Sequence, residues 1–134
     1  MFRVAQLLGR RSRLAATLAK QANHLLTGAD IAWDCVIGKG LVLHHPTGVV
    51  IGRGVLIGDY CRIQQGVTLG GSGGREDGSP EIGASVVLGA GSRVLGSITV
   101  GDQSIIGANA VVLKDVPAES IAVGVPAQSS RRRT

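Results

Sequence analysis

Aliphatic residues recur every six positions through most of this chain, usually with glycine following. Ile31, Ile37 and Leu43 form one run, and Ile51, Ile57, Ile63 and Leu69 a second. Ile82, Leu88, Val94, Val100, Ile106 and Val112 form a third. A period of six fits neither an amphipathic helix nor a hairpin meander. It predicts an all-β solenoid: each hexad is one short flat side of a triangular coil, and three hexads close a turn. The rhythm breaks twice. The step from Leu43 to Ile51 is eight residues and contains His44-His45-Pro46-Thr47-Gly48, and the step from Leu69 to Ile82 is thirteen. Within the longer break, Gly71 to Pro80 is too rich in Gly, Ser and charge to continue a strand and predicts a protruding loop.

The flanks follow other patterns. Over residues 2–27, Val4, Leu7, Leu8, Leu14, Leu18, Ala22 and Leu25 fall near helical spacing with basic residues between them, and Gly28 is a stop signal. The favoured reading is a short N-terminal α-helical segment whose apolar stripe packs on the solenoid end or a neighbouring subunit. The competing reading is a basic amphipathic helix in contact with an anionic membrane surface. Val116-Pro117 breaks the period again, and Ile121 to Pro126 read as a last capping strand. The organisation is therefore a basic helix over 1–28, a β-helix domain over 29–127 and a disordered basic tail over 128–134.

Composition sharpens this picture. The 21 glycines suit tight corners, and the three aromatics, Phe2, Trp33 and Tyr60, suit a narrow prism. So thin a core predicts oligomerisation. The net charge of +5 sits at the two ends: residues 1–29 hold five basic residues and no acid, while the repeat region has six basic residues against nine acids. Neither end interleaves aromatics with its cations, which argues against nucleic acid. Cys35 and Cys61 lie within hexads without metal-ligand spacing and read as buried thiols in a reducing, cytoplasmic setting. The N-terminal apolar stretches are broken by Arg10, Arg11, Arg13 and Lys20, unlike a secretory signal, and no stretch reaches the length of a membrane span.

Two of the three histidines, His44 and His45, sit in the first break. A histidine at an expanded corner of a rigid coil suits a general base, and a corner histidine bonded to a backbone carbonyl competes with that reading. Asp30 lies fifteen residues before His45, close to one coil, so its carboxylate could meet the imidazole and stabilise the imidazolium. Asp34 is a rival carboxylate, and a helix-to-solenoid cap is the plain alternative for Asp30.

Taken in order, Asp30-Ile31, Leu43-His44-His45-Pro46-Thr47-Gly48-Val49-Val50-Ile51-Gly52, Gly66-Val67-Thr68-Leu69-Gly70-Gly71 and Gly124-Val125-Pro126-Ala127 resemble the serine acetyltransferases. The resemblance covers roughly residues 29–127. It implies a left-handed parallel β-helix of hexapeptide repeats, assembled as a homotrimer with sites between subunits, and acetyl-CoA as co-substrate without a metal. It assigns His45 as catalytic base and Asp30 as its orienting partner, and places Gly71, Ser72, Ala90 and Ala108 along the acetyl-CoA groove. His44 falls at an acceptor-binding position.

The departures concern the acceptor. His44 replaces the acid that precedes the family's catalytic histidine, and Gly78-Ser79 replaces the Arg-His before proline that binds the serine carboxylate. The tail ends Arg131-Arg132-Arg133-Thr134 rather than in the isoleucine that docks into cysteine synthase, so such docking is not expected. These changes admit an exopolysaccharide or sugar O-acetyltransferase beside a serine-directed one. A non-catalytic β-helix scaffold is the alternative of another class. The carbonic anhydrases of this fold need three spaced histidine ligands, which His24, His44 and His45 do not supply.

Overall fold

The computed structural model describes residues 2–9, 12–74 and 78–133. Two helices, α1 (Phe2–Gly9) and α2 (Arg13–Thr27), precede a parallel β-solenoid. The first coil holds β1 (Asp30–Ile31), β2 (Val36–Ile37) and β3 (Val42–His44), and the second β4 (Val50–Ile51), β5 (Leu56–Ile57) and β6 (Arg62–Gln64). The third holds β7 (Thr68–Gly70), β8 (Glu81–Ile82) and β9 (Val87–Leu88), and the fourth β10 (Arg93–Leu95), β11 (Thr99–Val100) and β12 (Ile105–Ile106). A partial fifth coil starts with β13 (Val111–Val112), touches the second face through a bridge from Val116 to Val100, and ends in β14 (Ser120–Gly124) and β15 (Ala127–Arg131).

Strands stack into three faces: β1-β4-β7-β10-β13, then β2-β5-β8-β11, then β3-β6-β9-β12-β14-β15. An unbroken coil is eighteen residues, as from Val50 to its partner Thr68. The two breaks lengthen their coils to twenty, Asp30 to Val50, and to twenty-five, Thr68 to Arg93. The hexad residues from Ile51 to Val112 are all buried, and so are Val49, Val55, Cys61, Val67, Val86, Ser92, Ser104 and Ala110 two positions before several of them. Alternation along a strand turns positions i and i−2 to one side, so each hexad sends two side chains into the prism. Cys35 and Cys61 are free, buried thiols of this set.

Three expectations change. The helical segment is two helices rather than one. Ser12 adopts extended backbone and its hydroxyl accepts from Ala15 N, starting α2 afresh, while Arg10 and Arg11 lie outside the described residues. Gly28 does stop α2, at φ 73° with its N–H bonded to His24 O. The helices cap the first coil, but not through Leu14, Leu18 and Leu25 of the predicted stripe. Gln6 Nε2 donates to Cys35 O, Asn23 Nδ2 donates to Ala29 O, and small Ala16 is the buried residue of α2. Leu14, Leu18 and Leu25 face away at 71%, 63% and 84% exposure, because at 100° per residue they lie opposite Ala16. Finally, the tail is not disordered through its length. Residues 127–131 pair antiparallel with β14, Ala127 opposite Gly124 through Arg131 opposite Ser120, which satisfies backbone groups at the solenoid's open end. No helix among the described residues is long and apolar enough to cross a membrane.

Candidate active site

The corner between the third and first faces carries most of the candidate chemistry. Its backbone forms a ladder: Gly48 N donates to Gly28 O, Gly66 N to Thr47 O, Gly91 N to Gln65 O and Asn109 N to Ala90 O, all at 2.8–3.0 Å. One edge of the prism therefore holds Gly28, Thr47, Gln65, Ala90 and Ala108 in a column, each step one inter-strand spacing of about 4.8 Å. Ala90 is half-buried and Ala108 exposed. The N–H of Ala90 is held by Gln64 Oε1 at 2.9 Å.

His45 stands at the foot of that column. The β3-to-β4 corner is two residues longer than the β6-to-β7 corner above it, and His45 sits in it at φ 58°, the left-handed region that Tyr60, Ser85, Gln103 and Asn109 also adopt at other corners. Val49 N returns to Pro46 O and closes the turn. Below it, Gly28 is constrained twice: φ is positive, and a Cβ would stand 3.3 Å from Thr47 Cα. His44 ends β3 opposite Gln64, and both histidines are exposed.

Asp30 begins β1 two residues after Gly28. The enlarged coil makes Val50, not the histidine, its register partner, and its N–H bonds to Val49 O at 2.8 Å. Asp30 follows the corner that carries His45, and no hydrogen bond or ion pair among the described residues joins the two. Instead Lys20 Nζ lies 2.8 Å from Asp30 Oδ1, an ion pair outside hydrogen-bonding angles around a shielded oxygen. Asp34 sits at the next corner, where its Oδ2 takes Arg53 Nε at 2.8 Å. Of the two carboxylates, Asp30 is the one at the histidine corner.

Gly71 and Ser72 leave β7 on the opposite edge of the first face and are exposed. Gly96 N donates to Gly70 O beside them, and a Cβ on Gly96 would reach Ser72 Cβ at 3.7 Å. Within one chain they are separated from Ala90 and Ala108 by the width of that face. Residues 75–77 lie outside the described residues. On the return, Ser79 Oγ donates to Arg53 O and Leu56 N to Pro80 O. Sequence reasoning missed Lys20 and Gln64. Lys20 was visible only as helix charge, since its meeting with Asp30 depends on how α2 crosses the coil.

Residues 79–114 match the family model for the bacterial transferase hexapeptide (six repeats). A serine acetyltransferase of Mycobacterium tuberculosis is 48% identical over 122 residues, covering 89% of this chain and 52% of the relative. A Brucella abortus serine acetyltransferase in complex with coenzyme A superimposes with a TM-score of 0.94 at 37% identity, covering 99% of this chain and 54% of that one. Soybean serine acetyltransferase complexed with serine gives 0.92 at 42% identity, covering 96% and 54%. The chain spans about half the length of the curated relatives it matches.

Proposed function

We propose that this serine acetyltransferase-like member of the hexapeptide-repeat transferases moves an acetyl group from acetyl-CoA to an acceptor hydroxyl. The observation that carries the reading is the single edge on which His45 lies below Ala90 and Ala108. Two and three steps of the ladder separate their levels, about 10 and 14 Å at one strand spacing per step. An extended thioester arm laid along that edge over two alanine methyls would bring its carbonyl down toward the imidazole. Gly71 and Ser72 form the other wall of the groove across a subunit boundary in a homotrimer. Val36, Val50 and Leu56 are apolar side chains left exposed on the first two faces of a single prism, and burying such surface is what assembly would accomplish.

In the reaction, His45 takes the acceptor proton as the oxygen attacks the thioester carbonyl. The C–S bond breaks, and the leaving CoA thiolate recovers that proton from the imidazolium. Asp30 steadies the imidazolium, and holding both reactants in one groove makes the step effectively intramolecular. His44, beside the base, faces the acceptor. The two free thiols suit a reducing compartment such as the cytoplasm.

The acceptor is either serine or a sugar hydroxyl. The sugar reading is favoured by Gly78, which stands where the resemblance expects the carboxylate-binding arginine. A Cβ there would lie 2.5 Å from Ser97 Cβ. CoA-thiol release measured on the purified protein with serine and with a panel of sugar acceptors decides between them. Release with serine alone refutes the sugar reading, and no release with any acceptor leaves the scaffold reading standing.

A further inference from the structure

We infer that Lys20 is a positioning residue for this transfer, fixing the Asp30 carboxylate from the helix that caps the first coil. The inference rests on the roles given to His45 and Asp30 above. The Lys20 and Asp30 side chains are only 31% and 40% exposed, so their 2.8 Å ion pair is partly shielded from solvent. Both ends are anchored. On α2, Lys20 and Asn23 are three residues apart and share a face. Asn23 Nδ2 grips Ala29 O while Lys20 takes the next residue, Asp30. On the coil side, the Asp30 N–H is fixed to Val49 O, and Ala29 is buried.

The pairing is selective between the two carboxylate oxygens. Oδ1 is shielded against the ammonium, whereas Oδ2 keeps solvent access and has no partner among the described residues. Lys20 therefore occupies one oxygen and leaves the other to an imidazole at the same corner. Without it, the carboxylate turns freely about χ2 and spends less time presenting an oxygen to His45. The helix thus does more than cap the prism: it sets the orientation of the residue that supports the base.

The test is steady-state kinetics on the full chain with acetyl-CoA and the acceptor that turns over. Lys20→Met is expected to lower kcat about tenfold while leaving the KM for acetyl-CoA within about twofold. Lys20→Arg, which keeps the charge, is expected to retain at least about half of kcat. In an Asp30→Asn background, Lys20→Met should cost almost nothing further, because its effect passes through the carboxylate. An unchanged kcat in Lys20→Met, an arginine variant no better than methionine, or a full additional loss in the Asp30→Asn background overturns the assignment. A wild type without transfer overturns it together with the proposed function, whereas an active wild type with an indifferent Lys20→Met overturns this assignment alone.

Discussion

Ser92 and Ser104 are both fully buried serines of the prism, yet their replacement by alanine should move stability in opposite directions. Ser92 occupies the core column of Ala29, Val49, Val67 and Ala110, and its hydroxyl has no hydrogen-bond partner among the described residues. Ser104 donates to Pro117 O at 2.8 Å and accepts from Ser120 N at 3.3 Å, tying the fourth coil to the fifth. An unpaired buried polar group costs ~1–3 kcal/mol. Ser92→Ala removes it and leaves a void smaller than a methyl group, so the net gain is about 1 kcal/mol, or roughly 3–5 °C in Tm for a chain of this size. Ser104→Ala strands one carbonyl and one N–H and is expected to lose about 2 kcal/mol. Urea unfolding at one fixed protein concentration measures both as shifts in midpoint at constant slope. If Ser92→Ala destabilises as much as Ser104→Ala, the Ser92 hydroxyl is hydrogen-bonded in solution and is not the unpaired group described above.

Two more expectations follow from the site and the core. Ala108→Trp, at an exposed corner position, should raise the KM for acetyl-CoA more than about tenfold while leaving Tm within about 2 °C, read by kinetics and a melting curve. Equal KM values would remove Ala108 from the groove. Burial, with Asp34 adding to it, pushes the Cys35 thiol from 9.0 up to about 12. The folded state then holds this proton more tightly than the unfolded one, so its contribution to stability is complete below pH 9 and is lost as pH rises toward 12. Iodoacetamide at pH 8 should label Cys35 only when denaturant is added, as mass spectrometry of the peptide would show.

The solenoid was legible because strand alternation and coil closure both write themselves into a six-residue period, and Ile51 through Val112 are buried where that period puts them. The breaks were legible for the same reason: a lapse in a strict rhythm marks the coil that must bulge. What escaped depended on longer-range geometry. The tail, Gln128-Ser129-Ser130-Arg131, has no apolar alternation, so its pairing with β14 follows from the open strand edge rather than from its own residues. The helix break turned on Ser12, a cap hidden among arginines. Asp30 and His45 were linked by a spacing of fifteen, but the bulge makes that coil twenty, and the corner they share arises from the ladder at Gly28 and Gly48. Lys20 could not be found by spacing at all, since nothing local fixes the crossing of α2 over β1.

In the proposed reaction the histidine in the first break, His45, performs the proton transfer. Acetyl transfer by His45→Ala, measured as CoA-thiol release beside the wild type on the same acceptor, addresses it most directly. In that variant kcat is expected to fall by at least about a hundredfold with Tm and acetyl-CoA binding unchanged, the signature of a lost general base. Transfer at the wild-type rate by a folded His45→Ala protein would contradict it.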